Sequence, residues 1–133
     1  MSDDGKLKLL IAEDEPDLLD LYTQGFQMFG AEVLGAPDGQ KAWDLFQKID
    51  GNVDLVISDI FMPGMNGAQL MDKIKAHSPE IPVFLITGYA HLKRLVEESE
   101  YQPDAYLEKP FDLSELFQRI RELIPGSLQA PGR

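Results

Sequence analysis

Short apolar runs alternate with amphipathic segments along the whole of this 133-residue chain. We predict buried strands at residues 7–12, 53–58, 82–86 and 104–108, and a shorter strand near a sheet edge at 32–34. The segments between these runs repeat apolar residues at the period of a helix. Apolar strands that alternate with such helices predict a parallel sheet covered by helices on both faces. We therefore expect an α/β fold with five strands and five helices.

The helical pattern predicts five helices, of which the fourth is the least periodic. They are expected at residues 16–29, 39–49, 67–77, 91–100 and 113–124. Asp38 is the predicted N-cap of the second helix, and Asp112 with Glu115 predicts a capping box on the fifth. The last residues have no apolar period. We therefore place one domain at residues 1–126 and expect 127–133 to be a flexible tail or the start of a linker.

Composition excludes several classes of function. The formal net charge is −11, so direct binding to nucleic acid is not expected, because phosphates require clustered Lys and Arg. No apolar run approaches the roughly 20 residues that span a bilayer, and the N-terminus lacks the apolar core of a signal peptide. We expect a cytoplasmic protein without membrane contact. The chain has no cysteine, which excludes disulfides and thiolate metal sites.

Four of the predicted strands end in chemically reactive side chains. Glu13 and Asp14 follow the first strand, Asp59 ends the third, Thr87 follows the fourth and Lys109 follows the fifth. In a right-handed doubly wound sheet these ends lie together at one edge. Carboxylates at ~4 Å repel by about 4 kcal/mol per pair at an effective dielectric of ~20, and a divalent cation reverses this cost. Oxygen ligands favour Mg²⁺, with Mn²⁺ also possible.

This set of groups predicts metal-assisted phosphoryl transfer. The carboxylate of Asp59 can attack phosphorus and form an acyl phosphate. The metal would neutralise charge on the carboxylate and on the phosphoryl oxygens, Lys109 would add a mobile positive charge, and Thr87 would donate a hydrogen bond. Gly64 and Gly67 would allow the loop backbone to approach the site closely.

Four separated motifs identify a family. They are Glu13-Asp14, the segment DIFMPGMNG at 59–67, Thr87-Gly88 and the segment YLEKPF at 106–111. With these motifs the chain resembles the response regulator receiver domains of bacterial two-component signalling over residues 7–124. The resemblance implies a flavodoxin-like (βα)5 fold, like that of the chemotaxis regulators, with strand order 2-1-3-4-5.

The resemblance also implies roles for the acidic residues. Asp59 would be the phosphoacceptor and would share a bound Mg²⁺ with Asp14. Glu13 would bind the ion mainly through water, and the backbone carbonyl of Phe61 would be a further ligand. The positions of Phe61 and Tyr89 flank the phosphoryl group in the family, and in this chain both are bulky and aromatic. We expect them to screen the acyl phosphate from water and to make self-dephosphorylation slow.

Signal transmission is implied by the same resemblance. Thr87 and Lys109 would grip the phosphoryl group, and the peptide bond before Pro110 is commonly cis in the family. As the hydroxyl of Thr87 moves toward the phosphoryl group, Tyr106 would turn inward into the space it leaves. The change would be passed on by the surface formed by the fourth helix, the fifth strand and the fifth helix, within residues 91–124.

The expected partners follow from this role. The phosphoryl group would come from the phosphohistidine of a histidine kinase or a phosphotransfer protein, and the output would be a downstream protein or a fused output domain. A homodimer through residues 91–124 is possible, with Arg94, Asp104 and Arg119 as candidate charges at its interface. The domain would be a switch that phosphorylates and dephosphorylates itself rather than a turnover enzyme.

Other functions remain open at this point. A receiver-like scaffold that binds proteins without phosphorylation is one alternative, although the complete acid, threonine and lysine set disfavours it. An Asp-nucleophile phosphohydrolase is another, but those enzymes usually carry a second Asp two residues after the nucleophile. Neither Asp14 nor Asp59 is followed by one. A flavin carrier would need a Ser, Thr or Gly loop after the first strand, where this chain is acidic.

Overall fold

The computed structural model describes residues 6–128 and contains one five-stranded parallel sheet. Its strands are β1 (Lys8–Ala12), β2 (Glu32–Ala36), β3 (Leu55–Asp59), β4 (Val83–Thr87) and β5 (Ala105–Glu108). Its helices are α1 (Pro16–Met28), α2 (Gly39–Lys48), α3 (Gly67–His77), α4 (Lys93–Glu97) and α5 (Leu113–Leu123), with a 3₁₀ turn at Ala90–Leu92 before α4. The sheet order is β2-β1-β3-β4-β5, so the predicted fold class and strand order are confirmed.

Two hydrophobic cores cover the two faces of the sheet, because successive side chains of a strand point to opposite faces. On one face Leu10 and Val56 pack in a cluster that includes Phe46 of α2. On the other face Ile11 and Ile57 belong to a cluster that also contains residues of α1 and α5. Each fully buried Leu, Ile or Phe side chain contributes about 1.5–3 kcal/mol. The strands are therefore held in place on both sides.

The start of α3 lies directly against the end of β3. A Cβ atom on Gly67 would lie 2.2 Å from the carbonyl oxygen of Asp59, so only glycine fits there. The helix begins with a capping box: Asn66 Oδ1 accepts from the Gln69 N–H at 2.8 Å, and the Asn66 N–H donates to Gln69 Oε1 at 2.9 Å. The Gly67 N–H also donates to the Ile60 carbonyl at 2.9 Å. These contacts fix the backbone that carries Asp59.

The predicted fourth helix at residues 91–100 is too long. A 3₁₀ turn replaces its start, and α4 is only five residues long, with Val96 as its buried residue. The N–H groups of Glu100 and Tyr101 donate to the carboxylate of Asp72 on α3, at 3.2 and 3.0 Å. Because these backbone donors have a side-chain acceptor, they do not extend the helix.

The predicted capping box on α5 is wrong. The Asp112 side chain makes no cap hydrogen bond. The first turn closes through the backbone instead, since the N–H of Glu115 donates to the Asp112 carbonyl at 3.0 Å.

The chain continues to pack after α5. Ser127 and Leu128 are both buried, and Leu128 belongs to the core cluster beside α1 and α5. The Nε of Arg121 donates to the Leu128 carbonyl at 3.3 Å. The packed part of the chain therefore includes the first two residues of the segment that we expected to be a tail. Residues 129–133 lie outside the described residues.

Candidate functional site

Side chains from the ends of β1, β3 and β5 meet at one edge of the sheet. Lys109 Nζ donates to Asp59 Oδ2 at 3.1 Å and lies 3.5 Å from Glu13 Oε1. One carboxylate oxygen from each of Glu13, Asp14 and Asp59 can be chosen so that all three lie within 4.8 Å of one another. The structure thus brings together four of the residues that the sequence pattern selects.

These groups surround an open cleft of about 300 Å³. The cleft is lined by Asp14, Glu15, Asp59, Phe61, Gly88, Tyr89 and Lys109. Asp59 is 7% exposed and Glu13 only 2%, whereas Asp14 is exposed. A small ligand can therefore reach Asp59 from the side of Asp14 and Lys109.

Burial dominates the electrostatics of the cleft. It raises the pKa of Glu13 to about 8, and the negative charge of Asp59 adds to the shift. Burial also raises the pKa of Asp59, although Lys109 acts in the opposite direction. Burial alone would lower the pKa of Lys109, but the charges of Asp59 and Glu13 outweigh it and the pKa is raised. Without a further cation, the cluster thus disfavours full ionisation of its buried carboxyl groups.

The donor set fits a hard divalent cation. Three carboxylates from two strand ends supply oxygen atoms only, and Mg²⁺ is bound by one or two carboxylates with several waters retained. Phe61, whose carbonyl is the fourth expected ligand, lines the same cleft. Phe61 is 50% exposed, and its ring lies 5.4 Å from the ring of Tyr89, centroid to centroid. The cleft therefore has aromatic side chains at its opening.

Thr87 lies at the end of β4, but its hydroxyl is occupied locally. Thr87 Oγ1 accepts from the N–H of Tyr89 at 3.0 Å and donates to the Tyr89 carbonyl at 3.3 Å. The side chain is fully buried, and it is Gly88 that lines the cleft. The structure therefore places Thr87 beside the site, with its hydroxyl donating a hydrogen bond to the backbone carbonyl of Tyr89.

Tyr106 is half-buried on β5, with its hydroxyl directed into the protein. The hydroxyl oxygen is buried and finds no hydrogen-bond partner among residues 6–128. Lys93 Nζ lies 5.6 Å from the centroid of the Tyr106 ring, and Arg119 donates to the Tyr106 carbonyl at 3.3 Å. Desolvation raises the pKa of the phenol. The ring is thus in an inward position with an unsatisfied polar atom.

The three charged residues expected at a dimer interface have partners within the chain. Arg94 pairs with Glu98 at 3.2 Å, and Asp104 pairs with Lys75 at 2.6 Å. Arg119, the third, is bound to the backbone of β5.

An apolar groove next to the cleft was not predicted from the sequence. It has a volume of about 240 Å³ and is lined by Leu18, Leu21, Tyr22, Lys109, Pro110, Phe111 and Leu113. The peptide bond between Lys109 and Pro110 is cis, as the resemblance implied. Burial raises the pKa of Tyr22 to about 12. The helical pattern of α1 assigns Tyr22 to the apolar stripe that faces the core. The available sequence signal for a groove is Leu21, which is apolar but lies outside that stripe. In the structure Leu21 is 48% exposed.

Comparisons with known proteins point to one family. The sequence matches the profile of the response regulator receiver domain over residues 9–121. The transcriptional regulatory protein CusR of Escherichia coli is 33% identical over 118 residues, which are 89% of this chain and 51% of CusR. The probable transcriptional regulator ycf27 of Galdieria sulphuraria is 36% identical over 116 residues, which are 87% of this chain and 44% of that protein. The chain thus spans about half the length of these curated relatives.

Solved structures agree with the sequence comparisons. The response regulator TrrA of Thermotoga maritima, in complex with Mg²⁺-BeF, has a TM-score of 0.77 at 31% identity, covering 89% of this chain and 99% of that chain. A response regulator receiver domain protein from Clostridium thermocellum has a TM-score of 0.80 at 27% identity, covering 89% of this chain and 94% of that chain. Because the profile match extends over most of the chain and the curated relatives exceed 30% identity, this chain belongs to the response regulator receiver domain family.

Proposed function

We propose that this domain is a phosphorylation-activated signalling switch in which Asp59 accepts a phosphoryl group from a phosphohistidine. The observation that carries the proposal is the contact of Lys109 Nζ with Asp59 Oδ2 at 3.1 Å beside three clustered carboxylates. The phosphodonor would be a histidine kinase or a phosphotransfer protein. The domain would not turn over a free substrate.

The acidic residues would hold Mg²⁺, or Mn²⁺ in its place. Asp14 and Asp59 would bind the ion directly, Glu13 through water, and Phe61 through its backbone carbonyl. When bound, the ion supplies positive charge that offsets the carboxylates and the phosphoryl oxygens. The TrrA structure that resembles this one was solved with Mg²⁺-BeF, which supports the same use of the cleft here.

The chain's own residues would then carry out the transfer. An oxygen of Asp59 attacks phosphorus, the P–N bond to the donor imidazole breaks, and the imidazole leaves with the bonding electron pair. Lys109 moves its ammonium from the Asp59 carboxylate toward the phosphoryl oxygens. Thr87 can donate a hydrogen bond to the same phosphoryl oxygens once its hydroxyl no longer donates to the Tyr89 carbonyl.

The groove beside Lys109 would receive the phosphodonor. It is apolar, and the exposed carboxylates of Asp17 and Asp20 lie on the same helix, α1. These features fit an amphipathic helix with an apolar face and basic flanking residues. Since Lys109 lines both the groove and the cleft, a helix bound there would bring its histidine close to Asp59.

The output would leave through α4, β5 and α5. Similar proteins are named as transcriptional regulators, and RpaA of Synechocystis as a DNA-binding one, so a fused or separate DNA-binding partner is the output we expect. This domain would not itself contact nucleic acid. A homodimer through residues 91–124 would be one way to pass the signal on.

No helix among residues 6–128 is long and apolar enough to cross a membrane. We place the domain in the cytoplasm, where phosphohistidine donors act.

Acetyl phosphate with Mg²⁺ tests the proposal. We expect an intact-mass gain of one phosphoryl group that is absent in Asp59→Asn and lost when the metal is chelated. Asp14→Ala should greatly reduce the gain at the same Mg²⁺ concentration, whereas Asp44→Asn, on the exposed side of α2, should leave it unchanged.

Two other outcomes would overturn the switch. An unmodified mass under all these conditions would favour a phosphorylation-independent scaffold. Many turnovers of phosphate release from an aryl phosphate would favour a phosphohydrolase.

A further inference from the structure

Three aromatic rings are in contact at the opening of the cleft. The ring of Tyr89 touches both of the others, with its centroid 5.4 Å from that of Phe61 and 5.9 Å from that of His91. The Tyr89 and His91 rings meet edge to face, at an interplanar angle of 64°. Phe61 and Tyr89 line the cleft, whereas His91 lies outside it in the 3₁₀ turn at Ala90–Leu92. Tyr89 is therefore supported by one ring within the cleft and by one ring behind it.

The backbone of Tyr89 is fixed, but its side chain is half exposed. Its N–H donates to Thr87 Oγ1 at 3.0 Å, and its carbonyl accepts the N–H of Leu92 at 3.0 Å. The residue is nevertheless 54% exposed, so the core does little to hold the ring. A tyrosine side chain has three staggered positions about its first torsion, χ1. The contacts with neighbouring rings therefore decide which of these positions the Tyr89 ring takes.

His91 is the better anchored of the two supporting rings. Phe61 comes from the loop after β3 and is itself 50% exposed. His91 lies only two residues after Tyr89, inside the turn that the bond from the Leu92 N–H to the Tyr89 carbonyl closes. The backbones of His91 and Tyr89 are thus held in a fixed relation. An edge-to-face contact across this short turn favours one position of the Tyr89 ring.

We propose that His91 is a positioning residue that holds the Tyr89 ring at the cleft opening and thereby lengthens the lifetime of the acyl phosphate on Asp59. The first part concerns the free domain. The second part rests on the proposed function, because it requires a phosphoryl group at Asp59.

The reaction that the ring would slow is hydrolysis of the acyl phosphate. A water oxygen forms a bond to phosphorus in line with the bond to Asp59. The bond between phosphorus and the Asp59 oxygen breaks, the carboxylate keeps the electron pair, and the protons of the water leave with inorganic phosphate. Asp59 is only 7% exposed, so the attacking water has to enter through the opening that Phe61 and Tyr89 line. A ring held there excludes water from the reacting group.

His91→Ala tests the first part in the free domain. His77→Ala is the matched control, because His77 meets the ring of Phe46 edge to face, at 5.4 Å and 85°, at the far end of α3. NMR of selectively labelled tyrosine measures the χ1 populations of Tyr89 through three-bond couplings. In His91→Ala we expect the minor χ1 positions of Tyr89 to gain about two- to three-fold in population, the lower range for loss of an aromatic contact. His77→Ala should leave them unchanged.

Unchanged Tyr89 populations in His91→Ala would overturn the proposal. The same change in His77→Ala would also overturn it, because the effect would then not arise from the contact between His91 and Tyr89.

The lifetime of the acyl phosphate tests the second part. The domain is labelled with acetyl phosphate and Mg²⁺, separated from the donor and followed by intact mass at constant pH. We expect His91→Ala to shorten the lifetime about two- to three-fold, in proportion to the minor positions of the Tyr89 ring. His91→Phe, which keeps a ring at this position, should stay close to wild type, as should His77→Ala. An unchanged lifetime in His91→Ala, or an equal loss in His91→Phe, would overturn the proposal.

The same comparison in Tyr89→Ala shows whether His91 acts through the ring. Without that ring, His91→Ala should have no further effect on the lifetime. An equal shortening in both backgrounds would overturn the proposal, because His91 would then act without Tyr89. Failure of the wild type to gain a phosphoryl group would refute the proposed function instead, while the χ1 populations would still decide whether His91 positions Tyr89.

Discussion

Asp104 should stabilise the domain more than the lysine with which it pairs. Lys75, near the end of α3, places its ammonium 2.6 Å from Asp104 Oδ2 just before β5. The same carboxylate oxygen accepts the N–H of Val83, the first residue of β4, at 2.8 Å. The Lys75 side chain is 8% exposed and the Asp104 side chain 37%. Water can therefore hydrate Asp104 when its partner is removed, but it has little access to the ammonium of Lys75.

Asp104→Ala leaves a buried ammonium whose remaining hydrogen-bond acceptor among residues 6–128 is the Pro79 carbonyl at 3.5 Å, and it removes the acceptor of the Val83 N–H. Breaking a buried pair in this way costs about 3–5 kcal/mol, and access of water to this pair reduces the expected loss to about 2–3 kcal/mol. Lys75→Met replaces the ammonium with apolar volume and leaves Asp104 hydrated and bonded to Val83. We expect it to cost less than about 1 kcal/mol.

Urea unfolding followed by circular dichroism measures both changes. The double variant should be more stable than Asp104→Ala alone, because it no longer buries an unpaired charge. Equal m-values would show that the denatured states are comparable. If Lys75→Met destabilises the domain as much as Asp104→Ala, then hydration of the Asp104 carboxylate does not make up for the loss of the ammonium. The argument from side-chain exposure would then be wrong.

Three further predictions concern the cleft. Gly67→Ala should abolish acetyl phosphate labelling or prevent folding, because its Cβ would lie 2.2 Å from the carbonyl oxygen of Asp59. Gly88→Ala should still be labelled, because the nearest atom to its Cβ would be Lys109 Cδ at 3.7 Å. In metal-free buffer Glu13→Gln should be more stable than wild type above about pH 8, as thermal unfolding would show, because a raised carboxyl pKa makes stability fall as pH rises from about 4.5 to about 8. Addition of Mg²⁺ should reduce this difference. Tyr89→Ala should shorten the lifetime of the acyl phosphate, measured by intact mass over time, since it removes half of the aromatic pair at the cleft opening; an unchanged lifetime would exclude screening by that ring.

The layered fold was predictable because its signals are local. The run at 53–58 is apolar on both faces of the strand, which is what a central parallel strand requires. The third helix was predicted at 67–77 and is observed with the same bounds. Asp38 was the predicted cap of α2, and its Oδ1 accepts the N–H of Lys41 at 2.7 Å. Each of these features depends on residues within a few positions of one another.

The convergence of the charged residues of the cleft was predictable from topology. Once the strands are parallel, their carboxyl ends share one edge, so Asp14, Asp59 and Lys109 need no further signal to meet. The orientation of Thr87 was not predictable in this way. Its hydroxyl can bond either to a ligand in the cleft or to the backbone two residues later, and the turn at Tyr89 supplies that backbone partner.

Asp104 shows why charges on a surface cannot be assigned from the pattern. It precedes β5 on the face expected to form a dimer, and nothing in the local sequence indicates its partner, which lies 29 residues earlier on α3. The structure shows that the end of α3 lies next to the edge of the sheet where β4 and β5 begin, and that Lys75 supplies a buried ammonium there. An intermolecular pair on Asp104 would have to replace a 2.6 Å contact to that ammonium. A dimer through residues 91–124 would therefore have to draw its ion pairs from the more exposed charges, such as Arg94 and Glu98 at 81% and 64% exposure.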